Sequence, residues 1–175
     1  MKKIKLFAGM IAFAGLGLTS CSSDDSNDNT NDVEIAGTYN LIEVNTATET
    51  DFNEDGTSSF NQKDESTCYN SSSIVLNTDN TFVYDMSNIL VDEVNGTAAC
   101  SENTVTGVWE IFAGSGNTAI INATYQNENG DDVVITLNKE GDELTLYTLF
   151  GQYPDRNAEG GAFYNDGELE LVFKK

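Results

Sequence analysis

From Ile35 onward the chain repeats one pattern: a short run rich in β-branched and aromatic residues, then a few residues of Gly, Asn or Asp. In the clearest runs, apolar residues take alternate positions. Val133, Ile135 and Leu137 fall on one face of a strand, and Leu144 and Leu146 on one face of the next. Leu169, Leu171 and Phe173 share a face of the last, with Glu168 and Glu170 opposite. Period two with one wet face predicts antiparallel strands around a single core. Eight runs are predicted as strands: 38–44, 73–77, 81–86, 106–112, 118–126, 132–138, 143–150 and 168–173. The connections at Thr78-Asp79-Asn80, Gly114 to Asn117, Asn127 to Gly130 and Lys139 to Asp142 have hairpin composition. No segment after residue 34 carries a helical period. Gly151 to Gly167 reads as a long loop holding the single proline, Pro154, with Tyr153, Arg156, Phe163 and Tyr164, its aromatics serving either to bind or as a lid or plug on the barrel end.

A meander of eight neighbours leaves two raw edges unless it closes on itself. Closure predicts an all-β fold, an eight-stranded antiparallel up-and-down barrel over residues 35–175. Such an interior is packed solid or holds one small ligand. A two-sheet sandwich is the competing architecture, and the short sequential hairpins favour the barrel.

The first residues break the pattern. Met1-Lys2-Lys3-Ile4-Lys5 is basic, and Leu6 to Leu18 carries no charge. That run is short for a membrane span and suits the apolar core of a secretory signal peptide. It ends in Leu18-Thr19-Ser20-Cys21, which resembles the lipobox of bacterial lipoproteins. The resemblance implies a signal peptide of residues 1–20, acylation of Cys21, and anchoring to a membrane through that lipid. Residues 21–34 then form an acidic tether, with Ser22 to Asp32 too polar and charged to fold. Asp24-Asp25 is similar to the surface-export signal of lipoproteins from the Bacteroidota. It implies display on the outer face of the outer membrane, the periplasmic face being the alternative.

Charge narrows the function. The chain holds 29 Asp+Glu against 8 Lys+Arg, with no histidine and a net charge of −21. Loss of Lys2, Lys3 and Lys5 with the signal peptide takes it to −24. Such a surface repels phosphate backbones, so no nucleic-acid partner is expected. Without histidine the chain lacks the commonest general base and the usual activator of a Ser or Cys nucleophile. Carboxylate pairs such as Asp131-Asp132, Asp92-Glu93 and Glu168 with Glu170 sit at turns or on polar strand faces. No Gly-x-Ser-x-Gly, phosphate loop or dinucleotide fingerprint occurs. The expectation is a protein that is not an enzyme.

With Cys21 assigned to lipid, Cys68 and Cys100 remain. Export places them in an oxidising compartment, where an even count predicts a disulfide.

Ile35-Ala36-Gly37-Thr38-Tyr39-Asn40-Leu41 is similar to the Gly-x-Trp opening of lipocalin-like domains, with Tyr39 in the place of the tryptophan. Thr106-Gly107-Val108-Trp109-Glu110-Ile111 resembles a later strand of small bacterial lipocalin-like lipoproteins. Cys68, the strand to Leu76, Asp79-Asn80-Thr81-Phe82 and Cys100 follow that group's order. The resemblance implies a barrel whose cavity takes a small apolar or amphipathic ligand, and it names no ligand. Candidate ligand contacts are Tyr39, Trp109, Tyr153 and Phe163. Core packing is the favoured role of Tyr39 and Trp109, because aromatics on strands mostly bury area. The competing class is a surface interaction module, a solid barrel that meets a protein or glycan through its loops.

Asp51-Phe52-Asn53-Glu54-Asp55-Gly56 matches the first half of a D-x-[DN]-x-[DN]-G calcium loop. Asp51, Asn53 and Asp55 offer side-chain oxygens and Thr57 its carbonyl. Position twelve is the neutral Gln62, so Glu65 or Asp64 would have to complete the shell. Calcium is thus a candidate structural ion. The alternative is an exposed acidic loop braced by Asx turns.

Overall fold

A computed structural model of the chain describes residues 34–175. The expected signal peptide, Cys21 and the tether as far as residue 33 lie outside the described residues. The strands are β1 (Gly37–Thr50), β2 (Ser59–Asn61), β3 (Ser73–Leu76), β4 (Thr81–Asp92) and β5 (Thr97–Ser115), then β6 (Thr118–Gln126), β7 (Asp132–Glu140), β8 (Glu143–Arg156) and β9 (Ala162–Lys174). One helical turn, α1 (Gln62–Glu65), and a 3-10 turn at Thr67–Tyr69 lie between β2 and β3. β1 and β3 to β9 are antiparallel neighbours in chain order, and β1 returns to pair with β9. The fold is therefore the expected closed barrel of eight antiparallel strands, with the short β2 added against the second half of β1.

The hairpins follow from their turn residues. Gly116 and Gly141 open the two-residue turns after β5 and β7 with φ of 61° and 57°. Only glycine enters that left-handed region without cost, and a turn of this hand matches strand twist.

One end of the barrel is packed solid. Tyr39, Leu41, Ile74, Phe82, Ile121 and Phe173 are buried there, together with Leu137 and Leu144 from the β7–β8 hairpin. Tyr39 satisfies its hydroxyl by donating to the Ile35 carbonyl at 2.6 Å. The Trp109 indole donates to the Asn77 carbonyl at 3.1 Å. Val133, Ile135 and Leu137 face inward as the alternation predicts, and the same face continues to Lys139. Lys139 is also buried, and its ammonium donates to the Gly141 carbonyl.

Two stretches differ from the sequence reading. β4 and β5 extend well past Met86 and begin well before Thr106, forming one long hairpin from Thr81 to Ser115. Thr97 to Thr104 is exposed on nearly every position, so no apolar alternation marks it as strand. Gly151 to Gly167 is not a long loop. β8 reaches Arg156, β9 starts at Ala162, and only Asn157 to Gly161 turns. Pro154 stands inside β8, opposite Tyr164. It is tolerated because this half of β8 pairs with β9 alone, and an edge accepts a residue without an N–H.

β3 is too short to seal the wall between the second half of β1 and that of β4. Residues 59–72 fill this gap. The Asn61 carboxamide caps α1 and accepts from the Val44 N–H of β1 at 3.0 Å. Ser72 Oγ donates to the Ser87 carbonyl and accepts from the Ser87 N–H of β4. The Cys68–Cys100 disulfide, with 5.1 Å between Cα atoms, ties the plug to β5.

That bridge closes a loop of sequence separation 32, which the chain-entropy argument values at roughly 3–4 kcal/mol. Replacing both cysteines (Cys68→Ser with Cys100→Ser) should lower the unfolding free energy by about that amount. The measurement is the denaturant midpoint at constant m-value. A loss below about 1 kcal/mol would show that the plug is held by its hydrogen bonds alone.

Candidate functional site

In the half of the barrel away from Tyr39, inward side chains do not meet across the interior. A cavity of about 650 Å³ lies between them. Val44, Ile135, Leu146, Leu169 and Leu171 form an aliphatic side. Five tyrosines (Tyr69, Tyr84, Tyr125, Tyr153 and Tyr164) are the aromatic part of the lining, and Ser72, Asn88, Thr148 and Gln152 add polar side chains. Met86, Tyr125, Ile135, Leu146, Leu169 and Leu171 belong to the inward pattern yet are only partly buried. Their exposure is to this space.

The β4–β5 hairpin lines one side of the cavity with Ser87 to Leu90. Tyr164 of β9 pins it: the hydroxyl donates to the Ile89 carbonyl and accepts from the Val91 N–H, both at 3.0 Å. The Ala162 N–H donates to the Gly96 carbonyl at the hairpin's tip. The side wall stops short at one place. β7 and β8 pair only from Leu137–Leu146 to Glu140–Glu143, so Asp132 to Thr136 and Tyr147 to Arg156 each have a single neighbouring strand. Ile135 and Leu146 line the cavity at the edges of this slit. Outside it, Val134, Tyr147, Leu149 and Phe150 stand exposed. A register shift between Thr148 and Gly151 displaces the last two from the ladder.

Of the aromatic candidates, Tyr153 lines the cavity and bonds through its hydroxyl to Thr48 Oγ1 at 2.8 Å. Tyr39 and Trp109 are in the solid end, where they pack and hydrogen-bond to the backbone. Phe163 is half-buried beside Tyr164 and is not part of the lining. Tyr69, Tyr84 and Tyr125 were missed as candidates. Tyr84 and Tyr125 occupy inward positions of predicted strands, which was a usable signal. Tyr69 lies in the plug, whose position depends on the disulfide.

Asp51, Asn53, Asp55 and Glu65 do converge on one loop. Asp51 accepts from the Asp55 and Gly56 N–H groups, each at 3.0 Å. Asn53 Oδ1 accepts from Asp55 at 2.9 Å and Asp55 from the Thr57 N–H at 2.8 Å. Glu65, buried at the end of α1, accepts from the Asn53 N–H at 3.3 Å. Asp64 accepts from the Ser59 hydroxyl instead. These are Asx turns around one buried carboxylate. Among the described residues, no three His, Cys, Asp or Glu side chains are grouped so as to hold a metal ion. Burial raises the Glu65 pKa, and the charges of Asp51 and Asp55 raise it further.

Comparison with protein-family models, curated proteins and solved structures returns no match.

Two predictions follow from this packing. A larger side chain in the hollow half should be accepted: Leu169→Trp should cost less than about 1 kcal/mol, whereas Leu137→Trp in the solid half should cost about 1–3 kcal/mol or more. Equal costs by thermal melting would mean that the cavity is not empty in solution. Because the folded-state pKa of Glu65 is raised, its ionisation costs stability as pH climbs above the ordinary carboxylate range. Glu65→Gln should therefore melt higher than the parent near pH 7, and the two curves should converge toward about pH 4. Parallel curves would refute a destabilising charge at Glu65.

Proposed function

We propose that this chain is an exported, lipid-anchored barrel that binds a small apolar or amphipathic molecule in the cavity between its tyrosine and leucine walls. The observation that carries the reading is the hollow half of the barrel. A structural barrel of this size is expected to fill its interior with side chains, and here bulky residues stop halfway along. Large apolar side chains left half-exposed around a concave space are the usual signature of a ligand pocket, and about 650 Å³ is within the range of such pockets.

The competing module with a solid barrel and binding loops is less well supported, because its premise is a filled interior. A binding rather than a catalytic role is favoured by the histidine-free chain and by a cavity wall without a charged side chain. Anchoring through Cys21 and display at the outer membrane rest on the lipobox-like Leu18-Thr19-Ser20-Cys21 and on Asp24-Asp25.

The test is titration with Nile red, an uncharged dye whose emission rises in apolar surroundings. Saturable binding of one dye per chain is expected, with a Kd in the micromolar range or below. Leu169→Trp, which occupies the cavity, should weaken it at least tenfold. Non-saturating emission, or binding that Leu169→Trp leaves unchanged, would overturn the reading.

A further inference from the structure

The cavity carries a second message in the charges that are absent from it. Five cationic side chains fall within the described residues: Lys63, Lys139, Arg156, Lys174 and Lys175. Each is engaged elsewhere. Lys63 donates to Asn70 Oδ1, and Lys139 donates to the Gly141 carbonyl at the solid end. Lys174 pairs with Glu143 at 2.9 Å and Lys175 with Glu34 at 3.0 Å. Arg156 lies over the Phe52 ring at 4.7 Å and donates to the Phe52 and Gly160 carbonyls. None of the five lines the cavity, and neither does any Asp or Glu. A carboxylate drawn into this space would lose its water, meet no cation, and sit inside a chain of net charge −21. A buried ammonium would likewise find no anion.

The polar side chains that line the cavity are five tyrosines with Ser72, Ser87, Asn88, Thr148 and Gln152, all uncharged hydroxyls or carboxamides with a proton to donate. The hydroxyls of Tyr153 and Tyr164 are already bonded to the wall. Those of Tyr69, Tyr84 and Tyr125 belong to the lining and make none of the side-chain bonds to the wall that Tyr153 and Tyr164 make. Burial raises the pKa of Tyr69 and Tyr84 well above the usual phenol range, so both keep the proton. These hydroxyls stand on the 3-10 turn, β4 and β6, opposite the leucines of β8 and β9. The lining thus sets the hydroxyls of Tyr69, Tyr84 and Tyr125 across from Leu146, Leu169 and Leu171, whose strands also carry the already bonded Tyr153 and Tyr164. Among the described residues Gln62 Oε1 is the only solvent-excluded side-chain polar atom without a partner, so water reaches these three hydroxyls, and a ligand oxygen would take its place.

Resting on the binding function proposed above, we propose that the ligand is an uncharged lipid whose carbonyl, ester or ether oxygen accepts from Tyr69, Tyr84 and Tyr125, and that free fatty acids and cationic amphiphiles are rejected. The discrimination is made by what the wall lacks as much as by what it offers, since one hydrocarbon tail serves all three classes equally.

The test uses ligands that share a tail and differ in the head: methyl palmitate, palmitate, hexadecyltrimethylammonium below its micelle-forming concentration, and hexadecane. Each competes with Nile red for the full chain at pH 8. Methyl palmitate should bind at least tenfold more tightly than palmitate or the ammonium, and more tightly than hexadecane. Tyr84→Phe with Tyr125→Phe keeps both rings, so melting should be unchanged. This double variant should weaken methyl palmitate about three- to tenfold while leaving hexadecane unaffected. If palmitate or the ammonium binds as well as the ester, the inference fails while the binding function stands. An equal loss for ester and hexadecane in the double variant would remove the hydroxyls from the argument and overturn the inference. Should Nile red bind saturably and none of the four ligands displace it, the lipid class is wrong. If the dye itself does not bind, both proposals fall.

Discussion

The ladder between β1 and β9, from Asn40 opposite Lys174 to Thr46 opposite Leu169, holds the two ends of the meander together. Without it the first and last strands would each present a row of unpaired N–H and C=O groups, and the inward leucines of β9 would face water. With it, one continuous wall encloses the apolar face of every strand. The solid end and the hollow end both depend on that closure, because each is an interior only when the wall goes all the way round.

Within the closed wall, side-chain volume decides where space remains. Tyr39, Phe82, Phe173 and the β7–β8 leucines converge near the β1–β3 ladder and exclude solvent there. Toward the other end the strands lose neighbours. β3 stops at Ser73, and β7 and β8 separate beyond Leu137 and Leu146. The first gap is filled by residues 59–72, stapled by Cys68–Cys100 and bonded to β1 and β4. The second is left as a slit edged with exposed apolar side chains. A cavity closed on one side by a covalently held plug and flanked on the other by an unzipped strand pair has a rigid wall and a yielding one, since unpaired strands open at low free-energy cost.

The chemistry of the wall follows from the same economy of charge. A chain with few cations uses every one that is described in pairing with an acid, a carbonyl or an aromatic ring at the surface or the solid end. What is left to face the cavity is neutral, so tyrosine hydroxyls are the strongest donors available to it.

Much of this architecture could be read along the chain. Period-two runs and hairpin turns marked all eight barrel strands, because alternation and turn chemistry are local properties that survive in one dimension. Two cysteines left over once Cys21 is read as the lipidation site pointed to their bridge, because the expected export would place them in an oxidising compartment. The extended β4–β5 arm was not legible, since Thr97 to Thr104 is exposed on nearly every position and no pattern records it. Gly151 to Gly167 looked like a loop because Pro154 and its glycines are loop residues, and only the missing β7 partner explains why a strand tolerates them there. The sequence by itself determined the strands, their order and the acidity of the surface. It also favoured packing for Tyr39 and Trp109, whereas tertiary structure alone decided that Tyr69, Tyr84 and Tyr125 line a cavity. The physical reason is that alternation says which side of a strand points inward, whereas the distance to the opposite wall depends on where every other strand begins, ends and parts from its neighbour.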